Sequence, residues 1–239
     1  MKALFGILAA LSALAIPAQS QTTVDWDFSG GGGSGAPIPS LPPNMSGGTI
    51  AAYNEYLGPP PNNPGFNSAN QSSGYTGASG NHNASVGIVY GTLNPVSSTY
   101  FQCTITPAGG FQLSATTFQL GSFSNRYGPQ TLTLLVSTDN FATSTTLWTA
   151  TALPNDSNWY LVRGSGSFSY TAPVDTALTF RLYGSDGIGG DNDSDWRIDD
   201  VSLGITASAV PEPPTYAALL LGAALMGVRT WRRRLRRAV

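Results

Sequence analysis

The 239-residue sequence predicts an all-β body, a β-sandwich or jelly roll, with a signal helix at the N-terminus and a hydrophobic helix at the C-terminus. Three observations carry this prediction. From Ala84 onward the chain breaks into short runs rich in Val, Thr, Phe and Tyr, many alternating apolar with polar at period two. Turn clusters separate the runs, as at Pro107–Gly110, Thr138–Asn140 and Pro154–Asn158. No segment of the body carries a helical apolar stripe.

The elements follow in chain order. Residues 1–20 read as a secretory signal peptide. Lys2 makes the start positive, Ala3–Ile16 form an apolar helix, Pro17 breaks it, and Ala18-Gln19-Ser20 offers small side chains for cleavage before Gln21. Residues 21–80 hold a first strand at 24–29 (VDWDFS), expected to join the body's sheet, and then loops of Gly, Pro, Ser and Asn. Such loops bury little apolar area, although Tyr53, Tyr56, Phe66 and Tyr75 could pin them to the domain. Residues 81–209 form the sandwich itself, long enough for one domain with a real core. Near its end, Trp196 and Ile198 share one strand parity while Val201 and Leu203 take the other. If all four face the core, the strand slips by one residue at Asp199-Asp200, a β-bulge that aims both carboxylates at one edge. Residues 210–239 then combine VPEPP, a fourteen-residue apolar helix at Thr215–Val228, and the arginine cluster RTWRRRLRR.

Charge and cysteine content exclude several functions. Six of the eleven basic residues lie in the tail and Lys2 in the signal peptide, leaving Arg126, Arg163, Arg181 and Arg197 against twelve acids, a body charge of −8. Such a surface repels nucleic acid and suits cations or neutral polar ligands such as glycans. Cys103 is the only cysteine, so no intrachain disulfide forms, and it reads as a small buried hydrophobe. With one Cys and a single His, His82, neither a zinc site nor a thiol–imidazole pair is expected.

The tail closely resembles the sorting signal of PEP-CTERM proteins of Gram-negative bacteria. Val210, Pro211, Glu212 and Pro213 match the motif, the helix follows, and Arg229, Arg232, Arg233, Arg234, Arg236 and Arg237 match the cytoplasmic basic anchor. That resemblance implies recognition by an exosortase after signal peptidase and the secretion machinery have exported the chain. It further implies transient contact with the inner membrane, a final place in the cell envelope, cell surface or extracellular matrix, and association with exopolysaccharide and biofilm. The apolar run is shorter than the roughly twenty residues of a full span, which favours a processing intermediate over a lasting anchor. Tyr100–Leu113 and Leu178–Gly204 are similar to the secreted jelly-roll domains often joined to such tails; carbohydrate-binding modules and MAM-like domains end in a similar Asp-Asp strand.

The candidate chemistry is modest. Six aspartates fall between Asp186 and Asp200, hard oxygen ligands on a Gly-rich loop. The EF-hand pattern fails, because Trp196 stands where Gly is needed and Ser202 where the last ligand belongs. A structural Ca²⁺ is expected instead where Asp199 or Asp200 meets Asp25 or Asp27 of the first strand. A solvated acidic turn explains the same acids. Trp159 and Tyr160, just after a turn, are the candidates for stacking on sugar rings; Trp148 is expected in the core. Glu55 is the body's only glutamate, and no acid pair or GxSxG elbow stands out, so no enzyme is expected. The reading is an exported structural protein of the envelope or matrix, sorted by an exosortase-type system. The alternative is a lectin-like carbohydrate-binding module, with a secreted glycan hydrolase third.

Overall fold

The computed structural model describes residues 22–26, 28, 41–55, 72–79, 82–163, 168–188, 194–210 and 221–229. The strands, in chain order, are β1 (Thr22–Trp26), β2 (Met45–Gly47), β3 (Ala51–Tyr53), β4 (Ala84–Val86), β5 (Tyr100–Pro107) and β6 (Phe111–Ser124). They continue with β7 (Thr131–Ser137), β8 (Thr145–Ala150), β9 (Trp159–Arg163), β10 (Tyr170–Thr171), β11 (Leu178–Ser185) and β12 (Trp196–Ala209). They form two antiparallel sheets, the two layers of a β-sandwich of the jelly-roll type. One sheet, here the β12 sheet, runs β1-β12-β6-β10, with β4 also on β12 and β9 also on β6. The other, the β11 sheet, runs β2-β5-β11-β7-β8, with β3 also on β5.

The period-two pattern is what closes the sandwich. Phe101, Cys103 and Ile105 of β5, Phe180 and Leu182 of β11, and Leu132, Leu134 and Val136 of β7 point inward from the β11 sheet. Leu113, Ala115 and Leu120 of β6 and Trp196, Ile198, Leu203 and Ile205 of β12 meet them from the other side. Trp196 is fully buried and packs edge-on against Phe101, ring centroids 4.9 Å apart at 65°, an arrangement worth about 0.5–1.5 kcal/mol beyond area burial. Trp26 is buried too, and its indole N–H donates to the Gly48 carbonyl at 2.6 Å. The space left between the sheets is a void of about 30 Å³ lined by side chains such as Trp26, Phe101 and Phe180. A void of that size holds no more than a water molecule or two.

The expected slip is present. Asp199 pairs with Gly121 and Ser202 with Gln119, so two residues of β12 oppose one of β6, and Asp200 takes the left-handed conformation at φ 47°. Trp196, Ile198, Val201 and Leu203 are all buried, as the parity change requires. β12 pairs with β6 on one side; on the other it pairs with β4 at 196–198 and with β1 at 201–205, so Asp199 and Asp200 fall between those two partners.

Two further points concern the flanks. Met45–Gly47 and Ala51–Tyr53, inside the segment expected to be loop, pair with β5 as short edge strands. Of the expected C-terminal helix, Thr215–Val228, the described part is residues 221–228, which are helical, and the helix continues to 229. Among the described residues no helix is long and apolar enough to cross a membrane. Residues 1–20, the signal-peptide reading, lie outside the described residues.

Candidate functional site

The first place to look is the bulge. Asp199 is fully buried; one of its oxygens accepts the Asp200 backbone N–H at 2.8 Å, and Oδ2 has no partner among the described residues. Burial pushes its carboxyl up to about 7, helped by the neighbouring Asp200 charge and opposed by hydrogen bonding from Ser72. Asp200, by contrast, is well satisfied. Its carboxylate accepts the Ser72 hydroxyl and the Ser79 backbone N–H, each at 3.1 Å, together with the Tyr75 and Ser79 hydroxyls. The segment 72–79 is thereby tied down over the outer face of the β12 sheet. Gly121 permits this, because a Cβ there would fall 2.1 Å from the Tyr75 hydroxyl. Burial and Asp200 both raise the Tyr75 phenol.

The residues expected to hold calcium are placed as follows. Asp25 is exposed on β1 opposite Ser202, three residues beyond Asp199, and accepts the Thr23 hydroxyl at 3.0 Å. Among the described residues no three of His, Cys, Asp and Glu converge, and Asp27 lies outside them. The strand register separates Asp25 from the bulge, and hydroxyl donors occupy Asp200. Of the expected ligands only Asp199 keeps a free buried oxygen.

Trp159 and Tyr160 do not form one stacking surface. They are successive residues of β9, so their side chains leave opposite faces. Trp159 pairs with Phe123 and packs on its ring at 5.7 Å, extending a row Ser85–Arg197–Phe123–Trp159 across the outer face of the β12 sheet. Arg197 lies over Phe123 at 4.8 Å and is ion-paired to Asp195. Tyr160 pairs with Ser122, the residue that accepts the Trp196 indole N–H at 3.3 Å, and its own hydroxyl donates to Asp156 at 2.7 Å. Trp148 is buried against Phe118, as expected of a core residue. Cys103 faces the core as well, and burial pushes its thiol up to about 12.

The outer face of the β11 sheet carries a richer constellation that local sequence reading missed. Register places Tyr53, Tyr100, Tyr183, Thr133 and Thr149 in one cross-strand row. The next row is Ala51, Gln102, Arg181, Leu135 and Thr146, and the third joins Thr104, Thr179 and Ser137. Tyr53, 41% exposed, stacks on Tyr100 with centroids 5.1 Å apart and planes 16° off parallel. Tyr100 meets Tyr183 at 4.9 Å, and Leu93 and Phe141 from adjoining loops cover Tyr183 and Leu135. The Arg181 guanidinium lies 4.4 Å from the Tyr100 ring centroid and 3.8 Å from that of Phe141, and its Nε donates to Gln102 Oε1 at 2.7 Å. Thr104 and Thr179 share a hydroxyl hydrogen bond at 3.0 Å. An exposed ring, planar amide and guanidinium groups and a run of hydroxyls thus share one face. The available signal was the alternation within YFQCTITP and LTFRLYG, whose polar parity is the outward one.

The tail is only partly in view. Val210 is exposed and its N–H donates to the Gly110 carbonyl at 2.8 Å, so the motif begins where β12 ends. Arg229 is exposed at the end of the described helix. Pro211, Glu212, Pro213, Arg232, Arg233, Arg234, Arg236 and Arg237 lie outside the described residues.

No protein-family model matches the chain, and no curated protein matches it in sequence. Among solved structures it is similar to carbohydrate-binding modules of jelly-roll fold. A CBM4 structure matches at 16% identity and TM-score 0.34, covering 52% of this chain and 72% of that one. A family 11 carbohydrate-binding module from Clostridium thermocellum, in complex with a β-1,3-1,4-mixed-linked tetrasaccharide, matches at 10% identity and TM-score 0.27, covering 82% of this chain and 100% of that one. A cyclase from Fischerella sp. TAU also matches, at 13% identity and TM-score 0.36, over 78% of this chain and 96% of that one. Likeness at this level says nothing of what this chain binds, which has to be argued from its own residues.

Proposed function

We propose that the chain is an exported, non-catalytic β-sandwich that binds glycan on the outer face of its β11 sheet. The observation that carries the reading is the cluster of Tyr53, Tyr100, Gln102 and Arg181 on that face. Aromatic rings present an apolar face to the C–H side of a pyranose, while planar amide and guanidinium groups pair with adjacent hydroxyls in their own plane. A body charge of −8 and a core without room for a ligand agree with surface binding of a polar, uncharged or locally paired molecule. The test is binding to a glycan array and to soluble polysaccharides. Tyr53→Ala is expected to abolish binding and Trp159→Ala to leave it intact; the reverse pattern moves the site to the β12 sheet.

We further propose that the C-terminal segment 210–239 is an exosortase-type sorting signal, so that the body ends in the cell envelope or matrix beside exopolysaccharide. Support comes from the coincidence of the signal peptide, the VPEP motif, the apolar run and the arginine cluster. Intact mass of the exported protein checks it: loss of the residues beyond Val210 is expected, and a full-length exported chain overturns it. A structural Ca²⁺ is proposed at Asp199, whose buried, unpartnered oxygen is the kind of hard donor that ion takes.

A further inference from the structure

Arg181 is out of keeping with its surroundings. It is half-buried, both neighbouring rings lie within 4.4 Å of its guanidinium carbon, and among the described residues no carboxylate pairs with it. Arg197 shows what a paired arginine looks like here, held by Asp195 through both Nε and Nη2. Of the five N–H donors of Arg181, Nε goes to Gln102 Oε1 at 2.7 Å, and one on Nη1 reaches the Tyr183 hydroxyl at a long 3.4 Å. That hydroxyl donates in turn to the Pro95 carbonyl at 3.0 Å. Both rings pack against the group, and the Gln102 bond anchors its Nε. The Nη2 donors have no partner among the described residues. A guanidinium anchored in this way, with Nη2 donors and charge unpaired among the described residues, offers the fork that a carboxylate takes.

We propose that Arg181 is the carboxylate-recognition residue of this face, and that the ligand is a glycan containing hexuronate. This rests on the glycan-binding reading above and narrows it to an acidic polymer. Tyr53 stacks on the same Tyr100 ring that the guanidinium covers, so a sugar on the Tyr53 platform is adjacent to one whose carboxylate meets Arg181. The acidic body explains why the recognition must be local. With a charge of −8 it offers no general attraction for a polyanion, so affinity has to come from one desolvated, preorganised contact. The binding is therefore short-ranged and selective for the carboxylate, unlike that of a basic patch.

The experiment compares sodium polygalacturonate with the same polymer fully methyl-esterified, by calorimetry on the exported protein. The acid form is expected to bind at least about tenfold tighter, the scale of one charge-assisted hydrogen-bonded pair. Arg181→Gln is expected to erase that difference and Arg181→Lys to keep only part of it, because lysine supplies charge without the fork. If Arg181→Gln lowers the unfolding temperature too far to measure, competition on the unaltered protein decides: free galacturonate should displace the polymer and galactose should not. Equal binding of acid and ester, lost in Tyr53→Ala, overturns the carboxylate inference and leaves the glycan-binding face standing. Binding to neither polymer nor to any neutral glycan overturns both.

Discussion

Replacing Asp199 by Asn gives the sharpest test of the bulge. In the folded chain the carboxyl is raised from 3.8 to about 7, chiefly because it is buried. A raised value means that the folded state holds the proton more tightly than the unfolded one. The resulting stability is fully present below about pH 4 and is lost as the pH rises through 7. At 1.36 kcal/mol per unit the loss has an upper bound of about 4 kcal/mol; solvent relaxation around the charged form reduces this to about 2 kcal/mol. For a body of this size that corresponds to about 4–8 °C in unfolding temperature. Asparagine keeps an oxygen for the Asp200 N–H and never ionises. The variant should therefore equal the unaltered protein at pH 4.5 and exceed it by about 2 kcal/mol at pH 8. Asp139 and Asp156, held below the usual carboxylate range by Thr143 and Tyr160 respectively, titrate in both proteins and cancel from the difference. The assay is urea unfolding at pH 4.5, 6 and 8 in chelator. Parallel profiles for the two proteins refute the argument. Repeating the pH 8 measurement with Ca²⁺ tests the metal, which should stabilise the unaltered protein and leave the Asn variant unchanged; an identical response from both removes the site.

Three other outcomes are expected. Gly121→Ala should displace Tyr75 from Asp200 and cost about 1–3 kcal/mol by overpacking, read as a lower unfolding temperature and faster proteolysis within 72–79; an unchanged digest contradicts the placement of that segment. Cys103 should stay inert to a thiol reagent at pH 8 in the native protein and react at once in denaturant, since its thiol is buried and pushed up to about 12. Trp196→Ala should cost about 3–5 kcal/mol, measured by denaturant unfolding, because the ring is fully buried against Phe101.

Much of the fold was legible in the chain. Strand parity in WRIDDVSL located the bulge to the residue, because apolar side chains on both sides of the slip can reach the core only if the backbone absorbs one extra position. The same parity put Trp196 inside, and Trp148 and Cys103, read as core residues from their type and context, are buried too. Less of the site was legible. The distance of Asp25 from Asp199 depends on how β1 registers against β12, and nothing within either strand encodes that. Trp159 and Tyr160, both read as stacking candidates, lie on opposite faces because neighbours on a strand face opposite ways. Met45–Gly47 and Ala51–Tyr53 escaped notice because three-residue edge strands among Gly and Pro carry too few side chains to show alternation.

The sequence by itself determined the local quantities: alternation, hence two-layer β architecture; the one-residue slip in β12; the acidic balance of the body; and the pattern of the two termini, whose roles it only suggests. These depend on neighbours within about ten residues. Tertiary structure alone decided which outward-facing residues share a surface. Tyr53, Tyr100 and Tyr183 come from three separated strands, and Arg181 meets Gln102 and Phe141 only because β5, β11 and the loop after β7 assemble side by side. Segment 72–79 likewise reaches the bulge across more than a hundred residues of chain, through Tyr75 and Asp200. Cross-strand pairing is a non-local choice made by burial of the inner faces. The outer faces, where a ligand would bind, receive their composition as a consequence.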